Sequence, residues 1–99
     1  MYYNTSNYIH VFKYIMSRAK NTEEQIKLAK LFSKRLKLER ENMGLSQNEL
    51  AMRTNISIDT IRSLEGCRIK TPGLFMAYKL VLALDGKIEE WLNEIDEQL

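Results

Sequence analysis

The chain has 99 residues, 44% hydrophobic and 28% charged, the balance of one ordinary globular domain with a single modest core. Net charge is +2, and no apolar run approaches the roughly 18–20 residues that span a bilayer, so no membrane association is expected. One cysteine (Cys67) and one histidine (His10) leave no internal disulfide, no conventional Cys/His zinc site and no histidine-based triad within one chain, so no metal, cofactor or enzymatic activity is expected.

The opening stretch MYYNTSNYIHVFKYIM lacks a basic leader and is interrupted by His10 and Lys13, which is not the pattern of a signal peptide. With a lone thiol, the expected compartment is a reducing cytoplasm. Charge is unevenly spread. Residues 1–43 carry nine Lys/Arg against four acids, residues 44–72 four against three, and residues 73–99 two against six. A basic front and an acidic tail suit a chain that offers one face to a polyanion, although solvated helix faces give the same totals.

No sustained alternation reads as strand, and helical spacing runs throughout. Tyr8, Phe12, Ile15, Met16 and Ala19 share one face and predict an N-terminal helix over about residues 6–20. Thr22 and Gln25 form a capping box for a second helix, which runs to about Met43 and stops at Gly44. It carries two apolar stripes: Ala29, Phe32, Leu36 and Met43 on one face, Leu28, Leu31 and Leu38 on another. One core needs only one stripe, so the second requires a cover. The N-terminal helix is the expected cover, within one chain or across a two-fold axis.

Ser46 caps a short helix over Gln47–Arg53, with Glu49 at its third position. Thr54-Asn55-Ile56 is a tight turn, and Ser57 caps a helix that runs to about Glu65 and ends at Gly66. After the loop Lys70-Thr71-Pro72-Gly73, an amphipathic helix is expected with Leu74, Phe75, Tyr78, Val81 and Leu82 as its apolar face, closed by Asp85-Gly86. Ile88, Trp91, Leu92, Ile95 and Leu99 mark a last helix, whose acids read as a solvated face. The chain therefore reads as all-α, with six helices.

Two short helices joined by a three-residue turn pack across each other only if particular positions cooperate. A small residue must stand where they cross, and Ala51 is there. The turn needs a residue tolerant of positive φ, and Asn55 is there. Leu50, Ile56, Ile61 and Leu64 point inward, leaving positions 58, 59, 62 and 63 outward.

The segment LSQNELAMRTNISIDTIRSLEG resembles the helix-turn-helix of lambda-repressor-like and Cro-type regulators, with similarity extending over roughly Phe32 to Leu92. Gly-Leu-Ser-Gln at 44–47 looks like the start of that family's second helix, and Ser57-x-x-Thr60-Ile61-x-x-x-Glu65 resembles its recognition-helix signature. The resemblance implies a five-helix DNA-binding domain over residues 26–99, its helix-turn-helix at about 46–65, preceded by a helical extension over residues 1–25. It implies double-stranded DNA as ligand, a homodimer as the working unit and a small transcriptional regulator of phage-repressor, controller or antitoxin type. The alternative is a module of the same fold whose main ligand is a protein, such as a toxin.

By position, the resemblance makes Ile58, Asp59, Arg62 and Ser63 the base readers. It makes Gln47, Ser57, Thr60, Arg68 and Lys70 backbone contacts, and Arg40 with Glu65 a structural ion pair. This chain departs from the common pattern at Ile58 and Asp59, where relatives often carry Gln, Arg, Lys or Asn. Isoleucine can touch a thymine methyl, and aspartate can accept from cytosine N4. Asp59 is equally open to a second reading, as an acid favoured by the dipole of the first helical turn.

Overall fold

The computed structural model describes residues 23–69 and 72–98. Among them stand five helices and no strand: α1 (Glu23–Asn42), α2 (Gln47–Thr54), α3 (Ile58–Glu65), α4 (Leu74–Ala83) and α5 (Ile88–Glu97). The expected helix over 6–20, the Thr22 half of the capping box, and Lys70 lie outside the described residues. None of the described helices is long and apolar enough to cross a membrane.

α1 is the spine. Acids in its first turn and Arg40 in its last complement the helix dipole. One broad face of it, including Leu28, Ala29, Phe32 and Leu36, enters the core. The two expected stripes therefore divide differently. Leu28 joins the core and Leu31 packs on its margin, while Leu38 stays half exposed and Met43, beyond the helix end, lies at the surface. The reason is geometric: positions 28, 29, 32 and 36 fall within one arc, and position 38 turns out of it. α1 packs on α3 and α5, α2 packs on α3 and α4, and α4 packs on α5. Leu50, Ile61, Leu64, Leu80 and Trp91 fill the space between them, each at most 1% exposed.

α4 faces the core differently from the expected stripe. Its buried side is Ala77, Leu80 and Val81, whereas Phe75, Tyr78 and Leu82 are 80%, 45% and 51% exposed. The helix is apolar almost all round, with Lys79 its only charge, so periodicity alone does not select a face.

The first four helices end the same way, with a left-handed residue turning the chain back. After α1 this is Gly44 (φ 70°), with the Leu45 amide donating to the Arg40 carbonyl and the Gly44 amide to Glu41. After α2 it is Asn55 (φ 56°), the residue chosen on sequence grounds. After α3 the helix ends at Glu65, yet the left-handed residue is Cys67 (φ 59°), not the neighbouring Gly66. The Cys67 amide donates to Leu64 and the Arg68 amide to Ser63, so this cysteine is part of the helix stop. After α4 it is Asp85 (φ 56°), followed by Gly86. A Cβ on Gly86 would lie 2.6 Å from the indole nitrogen of Trp91, which explains a glycine beside a buried ring.

Candidate nucleic-acid interface

The helix pair α2–α3 is held by local capping before any long-range contact. Ser46 Oγ accepts the Glu49 amide at 3.0 Å and the Ser46 amide donates back to Glu49 Oε1 at 2.9 Å, a complete capping box. The same exchange holds the Glu49 carboxyl below its usual range, through the Ser46 backbone and hydroxyl. In the turn, Thr54 Oγ1 donates to the buried Leu50 carbonyl at 2.8 Å, and Ile56 packs against the core.

α3 starts at Ser57, whose Oγ accepts the Thr60 amide at 3.2 Å and bonds the Thr60 hydroxyl at 2.8 Å. Ser57, not Asp59, supplies the side-chain cap. Asp59 stands in the first turn with its side chain 90% exposed, and Arg62 one turn on is 55% exposed, their charged atoms 3.7 Å apart. These two form the open part of the helix. The other two outward positions are less free. Ile58 packs partly against the core, and Ser63 is half-buried with its carbonyl accepting the Arg68 amide. Arg68 itself is exposed.

At its far end α3 is fastened into the molecule. Arg40 Nε and Nη2 donate to the two oxygens of Glu65 at 2.6 and 2.9 Å, and Arg40 Nη1 donates to the Leu45 carbonyl at 2.7 Å. One guanidinium thus ties α1, the α1–α2 turn and α3 together, in the bidentate geometry that suits arginine to a carboxylate. Burial pushes the Glu65 carboxyl up, but the bonds from Arg40 and Gln47, with the attraction of Arg40 and Lys37, outweigh it and hold it below the usual range. The bond to Glu65 in turn raises Arg40, against the effect of burial.

Two contacts here escape sequence reasoning. Ser33 Oγ on α1 donates to the buried Leu64 carbonyl at 2.5 Å. Gln47 Nε2 donates to Glu65 Oε1 at 3.0 Å, so the Gln47 side chain is engaged inside the molecule. The signal for the second lay in the expected Arg40–Glu65 pair: a buried carboxylate has room for more than two donors, and the start of α2 is where the next polar group stands.

Among the described residues no buried side-chain nitrogen or oxygen is left without a partner, and no cluster of three His, Cys, Asp or Glu could hold a metal. A family model described as helix-turn-helix matches residues 36–91, which is more than half of the chain and contains α2, α3 and α4 entire. No curated protein and no solved structure matches the chain at a significant level.

Proposed function

Because the chain belongs to the lambda-repressor-like helix-turn-helix family, a family of DNA-binding regulators, we propose that it binds double-stranded DNA sequence-specifically as a homodimeric transcriptional regulator. The observation that carries this reading is the contrast within α3, whose buried side is pinned while Asp59 and Arg62 project from its first turns. Arg62, exposed and carrying paired donors, is the main base reader, suited to the two acceptors that guanine shows in the major groove. Asp59, 3.7 Å from Arg62 at the surface, offers an acceptor for a cytosine amine. Ile58 and Ser63, half-buried, flank these two and offer little more than a methyl contact and a hydroxyl. Gln47, Ser57, Thr60, Arg68 and Lys70 serve the DNA backbone.

An isolated recognition helix makes few contacts, and two copies on a palindrome gain the affinity one lacks. The exposed Phe75, Tyr78 and Leu82 row on α4 is the face we assign to that pairing, because it is apolar and nearly uncharged, so that a second copy would cover it without opposing like charges. The same row, with Asp59 offsetting Arg62, also supports the second reading, in which the main ligand is a protein. A shift titration with random-sequence duplex separates them. Affinity should fall by orders of magnitude between about 50 and 200 mM salt if several phosphates are contacted. Absent or salt-insensitive binding would overturn the DNA reading in favour of a protein ligand.

A further inference from the structure

Glu65 closes α3 with a side chain only 4% exposed, and its two oxygens receive three donors: two from Arg40 and one from Gln47. A carboxylate only accepts, so the atom of the Gln47 amide that faces it must be the nitrogen. One N–H of that amide is thereby committed inward, and the orientation of the whole group is set. Gln47 is also the first residue of α2, in a turn where the capping box takes the Ser46 and Glu49 amides and leaves those of Gln47 and Asn48 without an acceptor in the helix. The second side-chain N–H and those amides belong to the same helix end, a combination suited to a phosphate oxygen.

The same arrangement brings a hazard. A bare carboxylate bonded to one N–H of an amide would repel a phosphate bonded to the other. Arg40, bidentate on Glu65, removes that repulsion at its source. Resting on the DNA-binding reading above, we infer that Glu65 is a positioning residue for the Gln47 backbone contact: it holds the amide by one N–H, and Arg40 neutralises it so that a phosphate can take the other. The pair fastens the fold and also prepares the contact.

The test uses the full chain and a random-sequence duplex, at a temperature well below the melting point of every variant. Arg40→Met, assayed at about pH 8 so that Glu65 stays ionised without its partner, should weaken binding on the order of tenfold. Adding Glu65→Gln should restore most of the loss, since the new amide oxygen still accepts from Gln47 and carries no charge. Adding Glu97→Gln instead, which gives the same net charge at an exposed site on α5, should restore little. In an Arg40→Met Gln47→Ala background, adding Glu65→Gln should change affinity no more than adding Glu97→Gln does. Equal rescue by both neutral partners, or an effect of Glu65→Gln that is the same with and without Gln47, would overturn the inference and leave the pair a purely structural device. Should Arg40→Met fail to fold, Glu65→Ala against Glu65→Gln decides in its place, since the two share a charge and differ in the acceptor: the alanine variant should bind severalfold more weakly while Gln47 is present and equally in the Gln47→Ala background, and equal binding in both backgrounds would overturn the inference. A wild-type chain that binds no duplex would remove the DNA-binding premise itself, a result distinct from failed rescue.

Discussion

At its C-terminal end α3 is fastened to three other parts of the molecule. The Leu64 carbonyl takes the Ser33 hydroxyl and the Cys67 amide, Glu65 takes Arg40 and Gln47, and the Arg68 amide turns back onto Ser63. At its N-terminal end the fastening is local, a serine capping its own helix, and the charged side chains beyond it stand in solvent. Both ends belong to a helix of eight residues. The difference teaches how one short element can be rigid and variable at once: the end that holds is buried and satisfied, and the end proposed to read is free to change its residues without unfolding the chain.

Substitutions at the two ends should therefore differ in cost, and the largest effect belongs to the fastened end. Glu65→Ala leaves Arg40 buried without its carboxylate, which should cost about 3 kcal/mol and lower the melting temperature by roughly 10 °C or more. Arg40→Ala combined with Glu65→Ala should be less than additive, because the second change removes a partner already lost. Since the native Glu65 carboxyl lies below its usual range, its contribution is complete above that range and disappears as pH falls through it. Glu49, exposed and lowered in the same direction, adds to the same acid loss. Melting followed from neutral pH down to acid should show a decline that Glu65→Gln makes shallower; an unchanged slope would show that the pair is not coupled to folding.

At the open end the cap is the only large term. Ser57→Ala should cost about 1 kcal/mol by freeing the Thr60 amide, as read by denaturant unfolding. A cost equal to that of Glu65→Ala would erase the contrast between the ends. Smaller still, and opposite in sign, is Cys67→Gly. It relieves a side chain held at φ 59° and should stabilise by about 0.5–1 kcal/mol, the left-handed cost less the extra chain freedom of glycine. A loss of stability would mean that the half-buried cysteine side chain contributes more by packing than its backbone costs.

What could be read from the sequence follows the range of the forces involved. The Ser46–Glu49 capping box, the Ser57 cap, the left-handed Asn55, the small Ala51 at the crossing and the inward set of Leu50, Ile56, Ile61 and Leu64, of which Ile56 is only partly buried, depend on neighbours within a turn or two, and all were legible. The orientation of α4 was not, because a helix apolar almost all round gives periodicity little to follow, and its core face of Ala77, Leu80 and Val81 is set by packing against α2 and α5. Cys67 was obscured by Gly66, the better intrinsic candidate for a positive φ one residue too early. In the candidate interface, the exposed positions of Asp59 and Arg62 followed from helical spacing, whereas the partial burial of Ile58 and Ser63 depends on the loop after α3 and the packing beneath its start. The Gln47–Glu65 bond joins residues 18 apart through a crossing of two helices, which no local pattern encodes.

If the open end of α3 reads DNA while the fastened end carries the fold, Arg62→Ala separates the two roles once two quantities are measured on the same variant. One is the melting temperature; the other is affinity for the preferred duplex, obtained by selection from a random pool, relative to a scrambled one. Arg62 is 55% exposed and its pairing with Asp59 is at the surface, so stability should change by no more than about 0.5 kcal/mol. Affinity for the preferred sequence should fall by about 1–3 kcal/mol, with the scrambled duplex much less affected. A variant that melts clearly lower yet distinguishes the two duplexes as well as the wild type does would contradict the account.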